Sequence, residues 1–193
     1  MINPSLSLII PVYNEEKTLL DVLKKIKILE KACELEIIVI NDGSKDNSKN
    51  ILNDNKKLYT KVIHLDKNSG KGKAVIEGVK KSTKEYIIIQ DADLEYDPTD
   101  ILEFLEENKK YKYDLIMGSR FIGKKRSVLH FWHMIGNKFI TFLFNLINNT
   151  TFTDIYCCYC MFKRELINAD KLKCNNWGQQ AEILTYAVSN KTK

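Results

Sequence analysis

The sequence has 193 residues, 44 % of them apolar and 28 % charged, which suits one sizeable globular domain and is short for two. Thirty Lys and Arg against twenty-five Asp and Glu leave a formal charge of +5, too mild and too dispersed for a nucleic-acid-binding surface. No basic segment followed by an apolar run opens the sequence, so no secretory signal is predicted, and the five cysteines read as reduced thiols of a cytoplasmic protein.

Strand-like and helix-like patterns then alternate. Leu6 to Val12 is a short apolar run stopped by Tyr13-Asn14, and from Glu15 onward Leu19, Leu20, Val22, Leu23, Ile26 and Leu29 fall at helical spacing. Leu35 to Ile40 is β-branched and ends at the turn Asn41-Asp42-Gly43-Ser44. A polar helical stretch precedes a third strand, Lys61 to Leu65, and Ser69-Gly70-Lys71-Gly72-Lys73 opens a helix running through Val79. Tyr86 to Ile89 is a fourth buried strand that stops at Gln90-Asp91-Ala92-Asp93. Pro98 starts the next helix, and Leu115 to Met117 is a fifth strand ending at Gly118-Ser119-Arg120. Continuous apolar strands separated by helices predict an α/β fold, a mostly parallel central sheet covered by helices on both faces. Neither a repeat nor a linker divides residues 1–193, so one domain is expected.

In a sheet of this kind ligands bind beyond the carboxyl ends of the strands, where every polar cluster named above falls. Asp91-Ala92-Asp93 is the most informative of them. Two carboxylates at the end of a buried strand repel each other, and a divalent cation removes the repulsion while bridging to phosphate oxygens; Glu95 supplies a third oxygen. Alone the pattern is weak, because turns are rich in Asp. Gly70-Lys71-Gly72-Lys73 lacks the spacing and the hydroxyl of a phosphate loop, which disfavours a kinase or NTPase. Cys157, Cys160, His130 and His133 would compose a zinc set, but buried thiols acting as small hydrophobes are the preferred reading.

Taken in order, these motifs resemble the family 2 glycosyltransferases of GT-A fold, most of all the branch of dolichyl-phosphate mannose and glucose synthases and bacterial polyprenyl-phosphate sugar transferases. The likeness runs from Ile9-Ile10-Pro11-Val12-Tyr13-Asn14-Glu15 through the Asp42, Gly70 and Asp91 motifs to Gly118-Ser119-Arg120-Phe121, Gly136-Asn137, Thr153-Asp154 and Met161 to Glu165. It covers about residues 6 to 167 and implies a single Rossmann-like GT-A domain. The resemblance implies that Pro11, Tyr13 and Glu15 border the nucleoside and that Asp42 accepts from the N–H edge of the base. Lys71 or Lys73 lies near phosphate, with Lys73 favoured as the binding residue. Asp91 contacts ribose or metal, Asp93 the metal, and Glu95 completes the coordination of Mn²⁺ or Mg²⁺. Arg120 meets an anionic acceptor phosphate, for which its forked donors suit.

The implied reaction is inverting transfer of a hexose from a UDP- or GDP-sugar. A polyprenyl phosphate acceptor is already anionic and needs no base; a hydroxyl acceptor needs a carboxylate, for which Asp154 and Glu182 are the candidates. A catalytically weak nucleotide-binding or partner-binding module remains the competing reading. Between Val128 and Ile147 the sequence is apolar but interrupted by His130, His133, Asn137, Lys138 and Asn145, so a spanning helix is disfavoured. A helix from Ser127 to Asn148, buried or lying at the cytoplasmic face of a membrane as a peripheral contact, is expected instead. Relatives of this branch continue beyond the position of Val188 with a further strand, a basic motif and an apolar tail that are not found here.

Overall fold

The structure, a computed structural model, describes residues 4–122, 130–176 and 178–190. Its centre is a six-stranded sheet in the order β3-β2-β1-β4-β6-β5. Strands β1 (Ser5–Val12), β2 (Glu34–Asn41), β3 (Lys61–His64) and β4 (Tyr86–Ile89) pair in parallel. The fifth predicted strand, β5 (Leu115–Met117), does not join β4 directly. A sixth, β6 (Cys160–Lys163), lies between them and runs antiparallel to both. That reversal carries the segment entering β6, residues 154–159, to the edge where the other strands end.

Side-chain alternation along the strands divides the interior into two cores. Leu6, Leu8, Ile10 and Val12 of β1 and Ile37 and Val39 of β2 face one layer, while Ile9, Ile38 and Ile40 face the other. The first core is closed by helices α1 (Leu19–Ile26), α2 (Ser48–Asp54) and α4 (Ile101–Tyr111). In α1 the buried residues Leu19, Val22, Leu23 and Ile26 recur at the three- and four-residue steps that form one face. Helix α3 (Lys71–Lys81) and helix α6 (Gln179–Ser189) close the second core. Pro98 enters its helix as expected, by way of a single 3₁₀ turn that Asp97 caps by accepting from Thr99 N–H at 3.0 Å.

Helix α5 spans Phe131–Asn148; the expected start at Ser127 lies outside the described residues. It is not a core helix. Of its 18 residues only Thr141 and Phe144 are buried, and nine large apolar side chains stand exposed, from Leu143 at 38 % to Ile147 at 80 %. Trp132, Ile135, Phe139, Phe142 and Leu146 step by three and four residues along one stripe. Among the described residues no helix is long and apolar enough to cross a membrane.

Candidate nucleotide and metal site

The loops that follow β1 and β2 are laced together by reciprocal bonds. Asn14 N–H donates to Ser44 Oγ at 3.1 Å, and Lys45 N–H returns a bond to Asn14 Oδ1 at 2.8 Å. Glu15 N–H donates to Ser48 Oγ at 2.9 Å, while Glu16 and Asp46 make a second exchange with backbone donors. Asn14 adopts φ +58, a left-handed conformation that Asn tolerates better than most residues. The lacing holds Pro11, Tyr13 and Glu15 beside Asp42 on one wall of a cleft of about 310 Å³.

Asp42 is 3 % exposed and has a structural task besides any ligand contact. Its two carboxylate oxygens accept from Ser69 N–H at 2.8 Å and Gly70 N–H at 2.9 Å, which pins the loop leading into α3. Each oxygen keeps a lone pair for a further donor. Gly70 has φ +93, and a Cβ there would lie 2.5 Å from Asn175 O. At Gly72 a Cβ would lie 2.2 Å from Cys174 O, so the start of α3 must stay bare for residues 174–176 to pass over it. That pass brings Asn176 into the cleft.

The opposite wall is the turn after β4. Gln90 is fully buried, and its amide donates to the carbonyls of Asp91 at 2.9 Å and Tyr96 at 3.2 Å. Tyr159 Oη lies 2.6 Å from Gln90 Oε1 and 2.8 Å from Asp97 O, so the antiparallel insertion braces the turn from below. Leu94, next to Asp93, is held at φ +62, a costly backbone state for such a residue. The turn presents Asp91 and Asp93 to the cleft. Asp91 Oδ1 is 2.5 Å from the ammonium of Lys71, with both side chains mostly removed from water. Glu15 binds its proton more tightly than an ordinary carboxylate, chiefly through desolvation; its bond from Thr18 pulls the other way, and the negative charge of Asp93, Asp46 and Asp91 adds smaller upward contributions.

Several expected roles move. Lys71, not Lys73, lines the cleft; Lys73 turns to Glu77 at 2.8 Å, one helical turn on. Glu95 is exposed and absent from the cleft wall, where its N–H caps Asp93 Oδ1 at 3.0 Å, so it does not stand as a third metal ligand. Asp154 is unsuited to serve as a base. It is 1 % exposed and accepts from Arg120 Nε at 2.7 Å, Arg120 Nη2 at 2.8 Å, Asn137 Nδ2 at 3.0 Å and Tyr156 N–H at 3.2 Å. Desolvation raises its proton affinity, but these bonds and the Arg120 charge override it and hold the carboxyl below the usual range. Arg120 therefore has its fork turned onto Asp154, and neither residue lines the cleft. Glu182 is occupied too: it accepts from Lys173 and Cys174 N–H at 2.9 to 3.0 Å and so anchors the pass over α3.

Among the described residues no three His, Cys, Asp or Glu side chains are arranged to hold a metal. Cys157, Cys158 and Cys160 are buried, and desolvation pushes all three thiols up. His130, the residue that precedes α5, and His133 in its first turn pack edge to face and are exposed. The donors at Asp91 and Asp93 suit a different mode, in which a hard cation such as Mg²⁺ takes one or two carboxylates and completes its shell with substrate phosphate. They fit a cation that arrives with a diphosphate rather than one caged by protein alone.

The sequence matches the family described as "Glycosyl transferase family 2" over residues 7–169. It is similar to the poly-beta-1,6-N-acetyl-D-glucosamine synthase of Staphylococcus epidermidis, 38 % identical over 126 residues, covering 64 % of this chain and 30 % of that protein. An uncharacterized protein of Methanocaldococcus jannaschii is 32 % identical over 172 residues, covering 82 % of this chain and 72 % of that one. Among solved structures, glucosyl-3-phosphoglycerate synthase of Mycobacterium tuberculosis in complex with UDP superposes with a TM-score of 0.71 at 16 % identity, covering 97 % of this chain and 68 % of that one. S. aureus TarS in complex with UDP superposes at 0.62 and 21 % identity, covering 96 % and 55 %. The chain thus spans under a third of the staphylococcal synthase and about half of the TarS chain.

Proposed function

Because the chain belongs to glycosyl transferase family 2, we propose that it moves a hexose from a nucleoside-diphosphate sugar to a polyprenyl phosphate of the dolichyl type, with inversion at the sugar. The observation that carries this reading is the convergence of Pro11, Tyr13, Glu15, Asp42, Asp91 and Asp93 on one cleft at the carboxyl edge of the sheet. Pro11 and the half-exposed ring of Tyr13 offer flat apolar surface to a nucleobase, and Asp42 offers its remaining lone pairs to the N–H edge. Lys71 and the N-terminus of α3 favour the diphosphate. A bound Mn²⁺ or Mg²⁺, held by Asp93 and Asp91, would neutralise charge on the departing nucleoside diphosphate. UDP is the nucleotide to try first, since both TarS and the mycobacterial synthase have been crystallised with it, the latter also with Mn²⁺; GDP is the alternative.

Two features support a lipid phosphate as acceptor. Asp154 and Glu182, the carboxylates expected to act as base, are both saturated by other donors, and an acceptor that arrives as an anion needs no base. Helix α5 turns its apolar stripe outward, and the sequence between Asp114 and Asp154 holds no acidic residue but contains Arg120, Lys124, Lys125, Arg126 and Lys138. Such a stretch suits a peripheral contact with an anionic cytoplasmic membrane face. One observation weighs against an acceptor phosphate at Arg120: its fork is directed at Asp154 rather than outward, so transfer to a soluble hydroxyl is kept as the second reading, which needs a base other than Asp154 or Glu182.

Radiolabelled UDP- and GDP-hexoses with Mn²⁺, offered a short-chain polyprenyl phosphate, test the reading. Label is expected in an organic-phase product. Label only in a water-soluble product would replace the acceptor, and nucleotide binding without any turnover would leave a binding module and sink the transferase reading.

A further inference from the structure

Lys71 occupies a position that two effects disfavour for a cation. It is the first residue of α3, where the aligned peptide dipoles present their positive end. Its side chain is only 23 % exposed, so part of its hydration is lost. The ammonium is nonetheless 2.5 Å from Asp91 Oδ1, and among the described residues lining the cleft it is the single cation beside the carboxylates of Glu15, Asp42, Asp91 and Asp93. Asp91 thus stands in for the anion that this end of α3 would otherwise draw.

We propose that Lys71 is a built-in counter-ion that occupies the cation face of Asp91 until a nucleoside diphosphate draws it away, so that divalent metal binds with or after the nucleotide and not before it. The inference rests on reading the cleft as a nucleotide and metal site. A divalent cation approaching Asp91 in the nucleotide-free protein meets an ammonium already in contact with the carboxylate, and the two positive charges exclude each other. A diphosphate brings several anionic oxygens to the same helix terminus. The Lys71 stem is flexible enough to swing its ammonium onto them, which returns Asp91 to full negative charge beside Asp93. The cation face then opens at the moment phosphate oxygens arrive to complete a coordination shell. By linkage, nucleotide and metal each raise the affinity of the other.

The arrangement also accounts for a cleft with several carboxylates but no three-ligand cage among the described residues. A preformed cage would load metal in the absence of substrate. An acidic cleft carrying its own ammonium keeps the carboxylates apart from one another's charge without loading it.

Mn²⁺ binding to the nucleotide-free protein, followed by the loss of the free-ion paramagnetic signal, tests the proposal on wild type, Lys71→Met and Lys71→Arg, with circular dichroism as a check on folding. Wild type and Lys71→Arg should bind Mn²⁺ weakly, and Lys71→Met about tenfold more tightly. UDP or GDP alone should bind Lys71→Met less well than wild type. Mn²⁺ affinity unchanged in Lys71→Met would overturn the proposal. So would wild-type protein that binds Mn²⁺ equally well with and without nucleotide, a comparison that needs no variant. If neither UDP nor GDP binds in any state while Lys71→Met still gains Mn²⁺ affinity, the counter-ion stands and the nucleotide reading falls.

Discussion

Two ion pairs sit at the same edge of the sheet, and they differ in how completely each carboxylate is used. Asp154 takes a two-pronged bond from Arg120, a further side-chain donor and two backbone N–H groups, and its side chain is fully removed from water. Asp91 is held by Lys71 and keeps 18 % of its side chain exposed in an open cleft. Both acids lie beside a basic partner, and from sequence each was expected to have a chemical task, Asp91 as a ribose or metal contact and Asp154 as a candidate base. A carboxylate whose lone pairs are filled by its own chain is scaffolding; one with spare acceptor capacity and an open face is where a ligand can act. Glu36 belongs with the first kind: buried on β2, it accepts from Ser7, Lys61 and Thr83.

The sharpest way to break the comparison is to remove one carboxylate of each kind. Asp154→Ala removes a buried carboxylate and strands the partly buried guanidinium of Arg120 together with its other donors, and should cost about 3 kcal/mol in chemical denaturation. A loss below about 1 kcal/mol would place Asp154 among the unsaturated acids instead. Asp93→Asn should leave unfolding nearly unchanged yet lower transfer at least about a hundredfold, the equivalent of some 3 kcal/mol of lost charge stabilisation. Retained turnover would remove Asp93 from the reaction. Tyr159→Phe deletes one hydroxyl under the Asp91 turn and should cost about 1 kcal/mol, with nucleotide affinity falling because the turn loosens. A stability loss with affinity intact would show that the brace does not reach the cleft.

Titration separates the two kinds with opposite signs. The folded-state pKa values of Asp154 and Glu36 lie below their ordinary values of 3.8 and 4.5, so their stabilisation is present above those values and is lost as pH falls through the lowered ones. Glu15 is shifted the other way, so its favourable term is present below 4.5 and is lost as pH rises through its raised pKa. Glu15→Gln should therefore melt slightly higher than wild type at neutral pH, and the gain should vanish below pH 4.5. A gain that persists in acid would deny the raised proton affinity that burial, aided by the neighbouring carboxylates, gives Glu15. Smallest of all, Lys73→Ala removes only a partly exposed pair with Glu77 and should change stability by less than about 0.5 kcal/mol and leave nucleotide affinity unchanged.

Much of the fold was readable because apolar runs stop at dense polar turns. Those stops located the ends of β1, β2 and β4 and thereby the Tyr13, Asp42 and Asp91 loops. The choice between Lys71 and Lys73 was not readable: positions two apart on a helix point about 200° away from each other, and only the packing of residues 174–176 over α3 decides which faces the cleft. Nor does a four-residue run such as Cys160–Lys163 announce its direction. The contacts that depend on it, Tyr159 with Gln90 across 69 positions and Asp154 with Arg120 across 34, carry no local signature. The outward face of α5 was hidden because apolar spacing says that a stripe exists and not what covers it.

The antiparallel strand also bears on how the chain comes together in time. Within the sheet β5 has a single neighbour, β6, which follows it by more than forty residues. During synthesis β1 to β4 can pair and bury their side chains as they emerge, while Leu115–Met117 has no ladder to join until Lys163 has been made. Closing that long loop carries an entropic cost, and it brings Arg120, Asp154 and the brace beneath the Asp91 turn into place together. Amide exchange should show β5 and β6 opening as one unit, less protected than β1 and β2, with that side of the sheet the last to form and the first to let go.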